Sequence, residues 1–444
     1  MNYSAEYRNK LRTPEEAAAL VKSGDWLEFG MGVNFPVLCD RAIARRKNEL
    51  TDVKIRAQLV YGPIECVECD PEGLHFTYNS WHTSAYERRL CEKGMCYYSP
   101  MLFRNLFWYY KNFLTVNEVY ICAAPMDGEG YFNFSVATGI AKSAIQVAGK
   151  VILEVNENMP RVNGEGAERI HISEVDCIVE GPHGPMPCVP SREPSQEDKR
   201  IALNILPYIS DGSTIQLGIG GVPDALGKVL AESELKDLGM HTELCTDAFY
   251  ILSKAGKLTN AAKTIHRGKG VFALATGSQE LYDWIDGNPD LLSFSIDYVN
   301  QPEVIAQMDN FISLNSCVAV DLYGQTSSES SGLRHISGTG GQVDFLTGAS
   351  MSRGGKAFIC MNSVFRDENG EQHSRIVPHF SGDIITSPRS QAFYFATEYG
   401  VVNLAGKSSW ERAEELISIA HPDFRDELIR AAGEQHIWRQ SNKR

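Results

Sequence analysis

Short apolar runs alternate along this chain with longer stretches whose apolar residues recur at helical spacing. The short runs predict strands over 53–60, 118–124 and 150–155 in the first half, and over 214–217, 241–246, 271–275, 311–321 and 356–360 in the second. Spacing and propensity predict helices over 38–50, 137–148 and 223–238, with Gly239 as the stop signal of the last. Strands alternating with helices in this way argue for an α/β architecture with largely parallel sheets.

A weak repeat adds organisation. Gly24-Asp25-Trp26-Leu27-Glu28-Phe29-Gly30-Met31-Gly32 is followed by Pro36, and Gly212-Ser213-Thr214-Ile215-Gln216-Leu217-Gly218-Ile219-Gly220 by Pro223. Each stretch reads as a turn, a short apolar strand, a glycine turn and a helix. The two copies predict two similarly wound α/β halves. Prolines at 182, 185, 187, 190 and 194 mark a linker, so the expected domains are 1–195 and 196–444.

The glycine turns point to bound anions. Gly218-Ile219-Gly220-Gly221 leaves a predicted strand and enters a predicted helix, where backbone N–H groups can approach a ligand and the helix terminus favours negative charge. Gly338-Thr339-Gly340-Gly341, followed by Gly348 and Gly354-Gly355, is a second, denser cluster of the kind that forms concave anion sites. Either cluster alone reads more simply as a tight turn; two turns with a candidate nucleophile in one half favour a ligand site.

Between the two clusters lies Gly239-Met240-His241-Thr242-Glu243-Leu244-Cys245-Thr246-Asp247, a short buried strand ending in polar residues. Ligands of open α/β sheets bind outside the carboxyl ends of the strands, which places the Glu243 carboxylate where chemistry is expected. His241 shares the face of Glu243; a packed histidine is the plain alternative to a tuning role. Asp247 is expected to cap the next helix. A dinucleotide site is a rival reading, because Gly218-x-Gly220 after a strand is followed by an acidic residue about 20 positions on. Against it, Pro223 stands at the third glycine of that fingerprint, and no hydride-transfer partner is evident.

Composition narrows the classes. The net charge of −14 opposes a nucleic-acid or anionic-membrane surface. It equally requires any polyanionic ligand to find local donors. There is no run of about 18 apolar residues to span a bilayer, and the N-terminal segment lacks the basic and apolar regions of a signal peptide. Eleven cysteines are scattered without paired CxxC motifs; Cys66 and Cys69 come closest, with no second pair to complete a zinc site. A cytoplasmic protein with buried free thiols and no metal is expected. The aromatic run 103–113 reads as core or interface packing and suggests a homo-oligomer.

A glutamate outside a strand end suits covalent chemistry on a thioester. Its carboxylate can attack the acyl carbonyl and expel a thiolate, giving a mixed anhydride. The thiolate then attacks the glutamyl carbonyl and frees the acid. An ordinary glutamate pKa of about 4.3 keeps the nucleophile ionised at neutral pH without a neighbouring base. Backbone donors must face the transient oxyanion, and the glycine turns can supply them. Water must be kept away from the intermediates.

Several long motifs in register resemble the acetyl-CoA hydrolase/transferase family of class I CoA-transferases. They include Glu154-Val155-Asn156-Glu157-Asn158-Met159-Pro160, His171-Ile172-Ser173, the stretches 216–224, 239–247 and 336–345, Thr397-Glu398-Tyr399-Gly400 and Ile419-Ala420-His421-Pro422. Within the family the chain resembles the butyryl-CoA:acetate and 4-hydroxybutyrate CoA-transferases, and His436-Ile437-Trp438-Arg439 is similar to the former in particular. The resemblance implies two α/β domains of the CoA-transferase superfamily with the active site between them. It implies that Glu243 forms the glutamyl-coenzyme A thioester and that Gly218, Ile219, Gly220 and Gly221 line the coenzyme A site. Gly340 and Gly341 similarly fall where the family holds the coenzyme and the oxyanion. Asn315 and Glu398 match supporting positions, and 29–32 lines an acid pocket that differs among branches.

Met31 and Asn34 are acid-pocket candidates by their place in the first glycine turn. Arg353, Lys356 and Arg366 are candidates for the coenzyme phosphates, with solvated surface positions the plainer reading of each. The expectation is therefore a CoA-transferase acting on short-chain acids, with coenzyme A as substrate, no resident cofactor, and small-molecule partners only. A 4-hydroxybutyrate or dicarboxylic acid transferase, a thioester hydrolase, a non-catalytic acyl-CoA-binding protein and a dinucleotide-dependent oxidoreductase are the alternatives.

Overall fold

A computed structural model of the chain describes residues 3–189 and 191–439. Pro190, one of the linker prolines, and the start of the N-terminal segment lie outside the described residues. Contacts divide the chain into two units, Met1–Val189 with Val271–Val299, and Pro190–Gly270 with Asn300–Arg444. A single boundary at residue 195 does not describe this division, because the segment 271–299 returns to the first unit. There the Gly139 N–H donates to Ala273 O at 3.2 Å, Ser293 Oγ to Thr138 Oγ1 at 2.8 Å, and Tyr61 OH to Thr276 Oγ1 at 3.1 Å. Prolines mark where a chain leaves a domain. Long-range bonds of this kind leave no local trace.

The first unit holds an eight-stranded sheet in the order Leu11–Arg12, Cys177–Glu180, Lys150–Val155, Glu118–Ala123, Trp26–Met31, Val53–Gln58, Phe76–Ser80, Tyr97–Tyr98. Every pairing in it is parallel. Its central strands are buried along nearly their whole length, because helices cover parallel sheets on both faces. Leu27, Phe29, Ile55, Tyr78 and Val179 are among the residues of its core. The helix Val37–Ala44 has no side-chain cap of its own. The buried Glu154 carboxylate accepts its Leu38 and Cys39 N–H groups instead, and lies 2.9 Å from His183 Nε2. One of the long motifs is thereby explained as helix capping from a distance.

The second unit lays down Gly239–Cys245, Thr214–Leu217, Phe311–Ser316, Lys356–Cys360, Tyr394–Thr397 and Gly400–Asn403 in that spatial order. All these pairings are parallel except the last. Winding is the same in both units. The strand before the glycine turn receives its sequence neighbour on one side, and the chain then crosses to its other side. In the first unit the crossover puts Glu118–Ala123 beside Trp26–Met31. In the second it puts Phe311–Ser316 beside Thr214–Leu217. Each glycine turn therefore stands at a point where strand order reverses, which is where open α/β sheets hold ligands.

Several elements differ from their sequence expectation. The helix expected over 223–238 runs from Gly221 to Glu232, and Gly239 opens the following strand rather than stopping a helix. Gly239 is a glycine for another reason. A Cβ there would stand 2.7 Å from Lys263 Cγ. The helix expected over 137–148 is broken into a 3-10 turn, Ser135–Ala137, and a helix, Ala141–Ile145. Gly139 in the gap has φ +25, and a Cβ there would stand 2.9 Å from a Leu274 methyl. The strand expected over 311–321 splits at Cys317. All eleven cysteines are free; most are buried, and Cys188 is exposed. Among the described residues no helix is long and apolar enough to cross a membrane.

Candidate active site

Glu243 sits near the carboxyl end of Gly239–Cys245, half-buried. Asn300 Nδ2 donates to its Oε2 at 2.6 Å. The same Nδ2 lies 3.3 Å from Asp344 Oδ2, so one amide group bridges two carboxylates. Among the described residues Oε1 of Glu243 takes no hydrogen bond. Burial raises the Glu243 pKa to about 7, the Asn300 amide holds it down, and the like charge of Asp344 raises it further. An ordinary glutamate ionised throughout the neutral range is therefore not what the fold provides. Among the described residues no cation offsets the burial, so the carboxylate titrates near pH 7.

Gly341 explains itself against this group. A Cβ on it would stand 2.0 Å from Glu243 Oε2 and 2.1 Å from Asn300 Nδ2. Only a hydrogen fits there. Gly340 beside it has φ +53, a left-handed conformation that glycine adopts without strain. Gly341 is also the N-cap of the helix Gln342–Met351. The positive end of that helix's dipole therefore lies next to the carboxylate.

The other glycine turn lies at the same end of the sheet. Its N–H at Gly218 donates to Leu314 O at 2.8 Å, which ties the turn to the neighbouring strand. Gly220 has φ +122, and the helix Gly221–Glu232 starts beyond it. Ile219 and Gly220 are exposed, so their main chain is open to a ligand. Asn315 is buried beneath the turn, where a Cβ on Gly218 would lie 3.7 Å from its Oδ1. Its amide meets Gln216 at 3.3 Å and Ser313 Oγ at 2.9 Å. Glu398 follows the strand Tyr394–Thr397, half-buried, and accepts the Ser363 N–H at 2.9 Å as well as the Ser363 hydroxyl.

Met31 and Asn34 belong to the first unit, both buried. Asn34 Nδ2 donates to Phe134 O at 2.9 Å. The two line a tight cavity with Glu28, Gly30, Ile121 and Ala137. A wider cavity opens from the adjoining Gly32 and Val33, with Phe35, Val60 and Tyr61 in its wall. His241 is buried against the Phe311 ring at 6.1 Å, a packed histidine. Thr246 rather than Asp247 is the N-cap of Asp247–Lys254. Arg353 pairs with Asp309, Lys356 Nζ donates to Gly354 O at 3.3 Å, and Arg366 to Gly370 O at 3.0 Å. Each of the three is thus engaged locally.

Asn300 and Asp344 are the residues that sequence reasoning missed. Asn300 lies far along the chain from Glu243 and in no glycine cluster. Asp344 fell inside the stretch 336–345 with nothing to single it out. Two clusters of ligating side chains were also invisible in the spacing. Cys122, Glu154 and His183, and separately Asp367, Glu371 and His373, hold their ligand atoms within 4.8 Å of one another. Neither includes Glu243, and the Glu154 carboxylate is already occupied by helix N–H groups and His183.

Comparison with known proteins gives the family of the chain. The family described as acetyl-CoA hydrolase/transferase N-terminal domain matches residues 1–190, and its C-terminal domain matches residues 277–432. The chain is 46% identical over 446 residues to the butyryl-CoA:acetate CoA-transferase of Anaerostipes caccae, covering 100% of both. It is 48% identical over 440 residues to the probable butyrate:acetyl-CoA coenzyme A-transferase of Syntrophomonas wolfei, covering 99% of this chain and 98% of that one. The structure of RipA from Yersinia pestis is similar at a TM-score of 0.89 and 36% identity, covering 99% of this chain and 100% of the other.

Proposed function

Since the chain belongs to the acetyl-CoA hydrolase/transferase family and is a CoA-transferase, we propose that it exchanges coenzyme A between butyrate and acetate through a thioester on Glu243. A Glu243 oxygen attacks the butyryl-CoA carbonyl, the C–S bond breaks, and coenzyme A leaves as thiolate. The thiolate attacks the side-chain carbonyl of the resulting anhydride and releases butyrate. Acetate then attacks the glutamyl thioester, and the same steps in reverse yield acetyl-CoA and free Glu243. This is ping-pong covalent catalysis with a carboxylate nucleophile.

The observation that carries the reading is the setting of Glu243. Asn300 holds one oxygen at 2.6 Å, the other is free for attack, and Gly341 leaves no room for a side chain beside it. The main chain of Gly218, Ile219, Gly220 and Gly221 takes the coenzyme, and that of Gly340 and Gly341 steadies the oxyanion. Losing one such donor costs about 2.7–4 kcal/mol. Asn315 and Glu398 support these turns from below. Met31, Asn34 and the wider cavity at Gly32 and Tyr61 receive the acyl tail, and their shape sets the choice between butyrate, 4-hydroxybutyrate and longer or dicarboxylic acids. Glu243 is buried only in part, which leaves room for slow hydrolysis as a side reaction, with water in place of acetate. The enzyme works in the cytoplasm as a homo-oligomer, with the exposed Phe107, Trp108 and Phe113 as contact surface.

The deciding experiment adds butyryl-CoA without acetate, then borohydride, and maps the modified peptide by mass. Reduction at Glu243 with permanent loss of activity is expected. Unmodified, fully active protein overturns the covalent scheme.

A further inference from the structure

The strand that carries Glu243 is anchored in an unusual way. Its ladder with Thr214–Leu217 covers only the pairs Thr214↔Gly239 and Ile215↔Met240. Glu243 lies beyond the last pair of that one ladder, on a strand that continues to Cys245. At that last pair, both main-chain groups of Met240 are taken by side chains. Its N–H donates to Asn260 Oδ1 at 2.8 Å, and its carbonyl accepts from Lys263 Nζ at 2.8 Å. Two side chains from the loop after the helix Asp247–Lys254 thus bind Met240 as a neighbouring strand would.

Both side chains are held for the task. Asn260 is buried with φ +56, its N–H donates to Leu238 O at 3.0 Å, and its carbonyl accepts the Gly268 N–H at 2.9 Å. Lys263 is 3% exposed, and its Nζ also donates to Lys269 O at 2.7 Å. Its stem crosses Gly239 so closely that a Cβ there would meet Lys263 Cγ at 2.7 Å. Burial pushes the ammonium pKa down to about 7, and no charged neighbour contributes to the shift. The strand also carries the titratable residues His241, Glu243 and Cys245, and the loop carries Lys257, His266, Arg267 and Lys269. Two carbonyl acceptors match the two N–H bonds of an uncharged amine. A buried amine is an expensive way to fill this space, because a methionine would pack along the same path without desolvation cost.

We propose that Lys263 is a positioning residue for the transfer reaction: together with Asn260 it clamps Met240 and so sets where the strand presents Glu243. The inference rests on Glu243 being the nucleophile. It extends that reading to a residue that touches no substrate. The lysine acts through the strand, so substrate binding at the glycine turns is unaffected and only the attack geometry suffers when it is lost. A misplacement of about 1 Å at a reacting group is worth about a hundredfold in rate.

The test compares full-length wild type, Lys263→Met and Glu243→Gln, all assayed well below their melting temperatures. Melting temperature, acyl-CoA KM, kcat and the single-turnover rate of free-acid release are measured for each. Lys263→Met is expected to lower kcat and the single-turnover rate tenfold or more, with acyl-CoA KM within twofold of wild type. Wild-type rates with only a lower melting temperature make the lysine purely structural and overturn the proposal. Should Lys263→Met yield no folded protein, Asn260→Ala decides on the same readouts, and wild-type kcat there is equally fatal. Glu243→Gln separates the two ideas. If it transfers coenzyme A at the normal rate, the reading of the nucleophile fails; if it is dead while Lys263→Met is fully active, only the present inference fails.

Discussion

At Gly30-Met31-Gly32 the first unit buries its glycine turn, and Met31, Val33 and Asn34 are all inside. At Gly218-Ile219-Gly220 the second unit leaves Ile219 57% exposed. Both turns end an equivalent strand in the same winding. Two residues before each turn stands a polar side chain at the same place in the repeat. In the first unit it is Glu28, 1% exposed, with Arg56 Nε donating to it at 3.0 Å. In the second it is Gln216, whose Oε1 accepts from Ser313 Oγ at 2.7 Å and from the Leu314 N–H at 3.2 Å. Burial raises Glu28 to a pKa of about 7 against the pull of Arg56. Glu243 reaches about the same value with only an amide for a partner. A guanidinium turns the first carboxylate into a structural tie. An amide leaves the Glu243 carboxylate available for the proposed attack. Glu28 and Glu243 do not occupy equivalent places in the repeat, since Gln216 stands where Glu28 does; the two buried carboxylates differ in the partner that holds them.

The sharpest way to break this comparison is Glu243→Gln, expected to lower kcat by at least about a thousandfold while leaving the melting temperature near wild type. Steady-state assay and a melting curve check both halves. Glu28→Gln should do the reverse. It leaves Arg56 buried without its counter-charge, a loss of about 3–5 kcal/mol in denaturant unfolding, with kcat per folded chain within about twofold. A Glu28→Gln protein that stays stable but loses turnover would reverse the assignment of roles. Gly341→Ala forces a methyl into Glu243 Oε2 and Asn300 Nδ2, and about a hundredfold loss of kcat is expected with the fold intact by circular dichroism.

Asn300→Ala tests the amide. Glu243 must be ionised to attack, so kcat/KM falls as pH drops through about 7. The amide favours the ionised form, hence its removal moves this acid limb to higher pH and lowers the rate at neutral pH about tenfold. An acid limb that stays in place means Asn300 does not set the titration of Glu243. The smallest effect is expected from Ile219→Ser. Exposed as it is, Ile219 contributes little to the fold, so stability stays within about 0.5 kcal/mol while acyl-CoA KM rises a few-fold.

Parts of this site were legible one residue at a time. Glu243 was visible because an acidic residue at the end of an apolar strand is a local pattern. Gly340 and Gly341 were visible as a cluster, although only the fold separates their reasons, a left-handed backbone at one and a carboxylate in contact at the other. Gly239 was misread for the same cause. A glycine before a strand looks like a helix stop until the Lys263 stem is seen crossing it. Asn300, Asp344 and Lys263 carried no local signal, since each matters through a partner distant in the chain.

Period and punctuation along the chain were enough to determine the α/β class and the two similarly wound halves, because strand and helix periodicities and turn residues act over a few positions; the family came from the resemblance of long motifs. Tertiary structure alone decided that 271–299 belongs with the first unit, that Glu243 titrates near neutrality, and that an amide rather than a guanidinium holds it. Burial and charge are properties of everything packed around a group, and folding brings those neighbours together from places the chain keeps far apart.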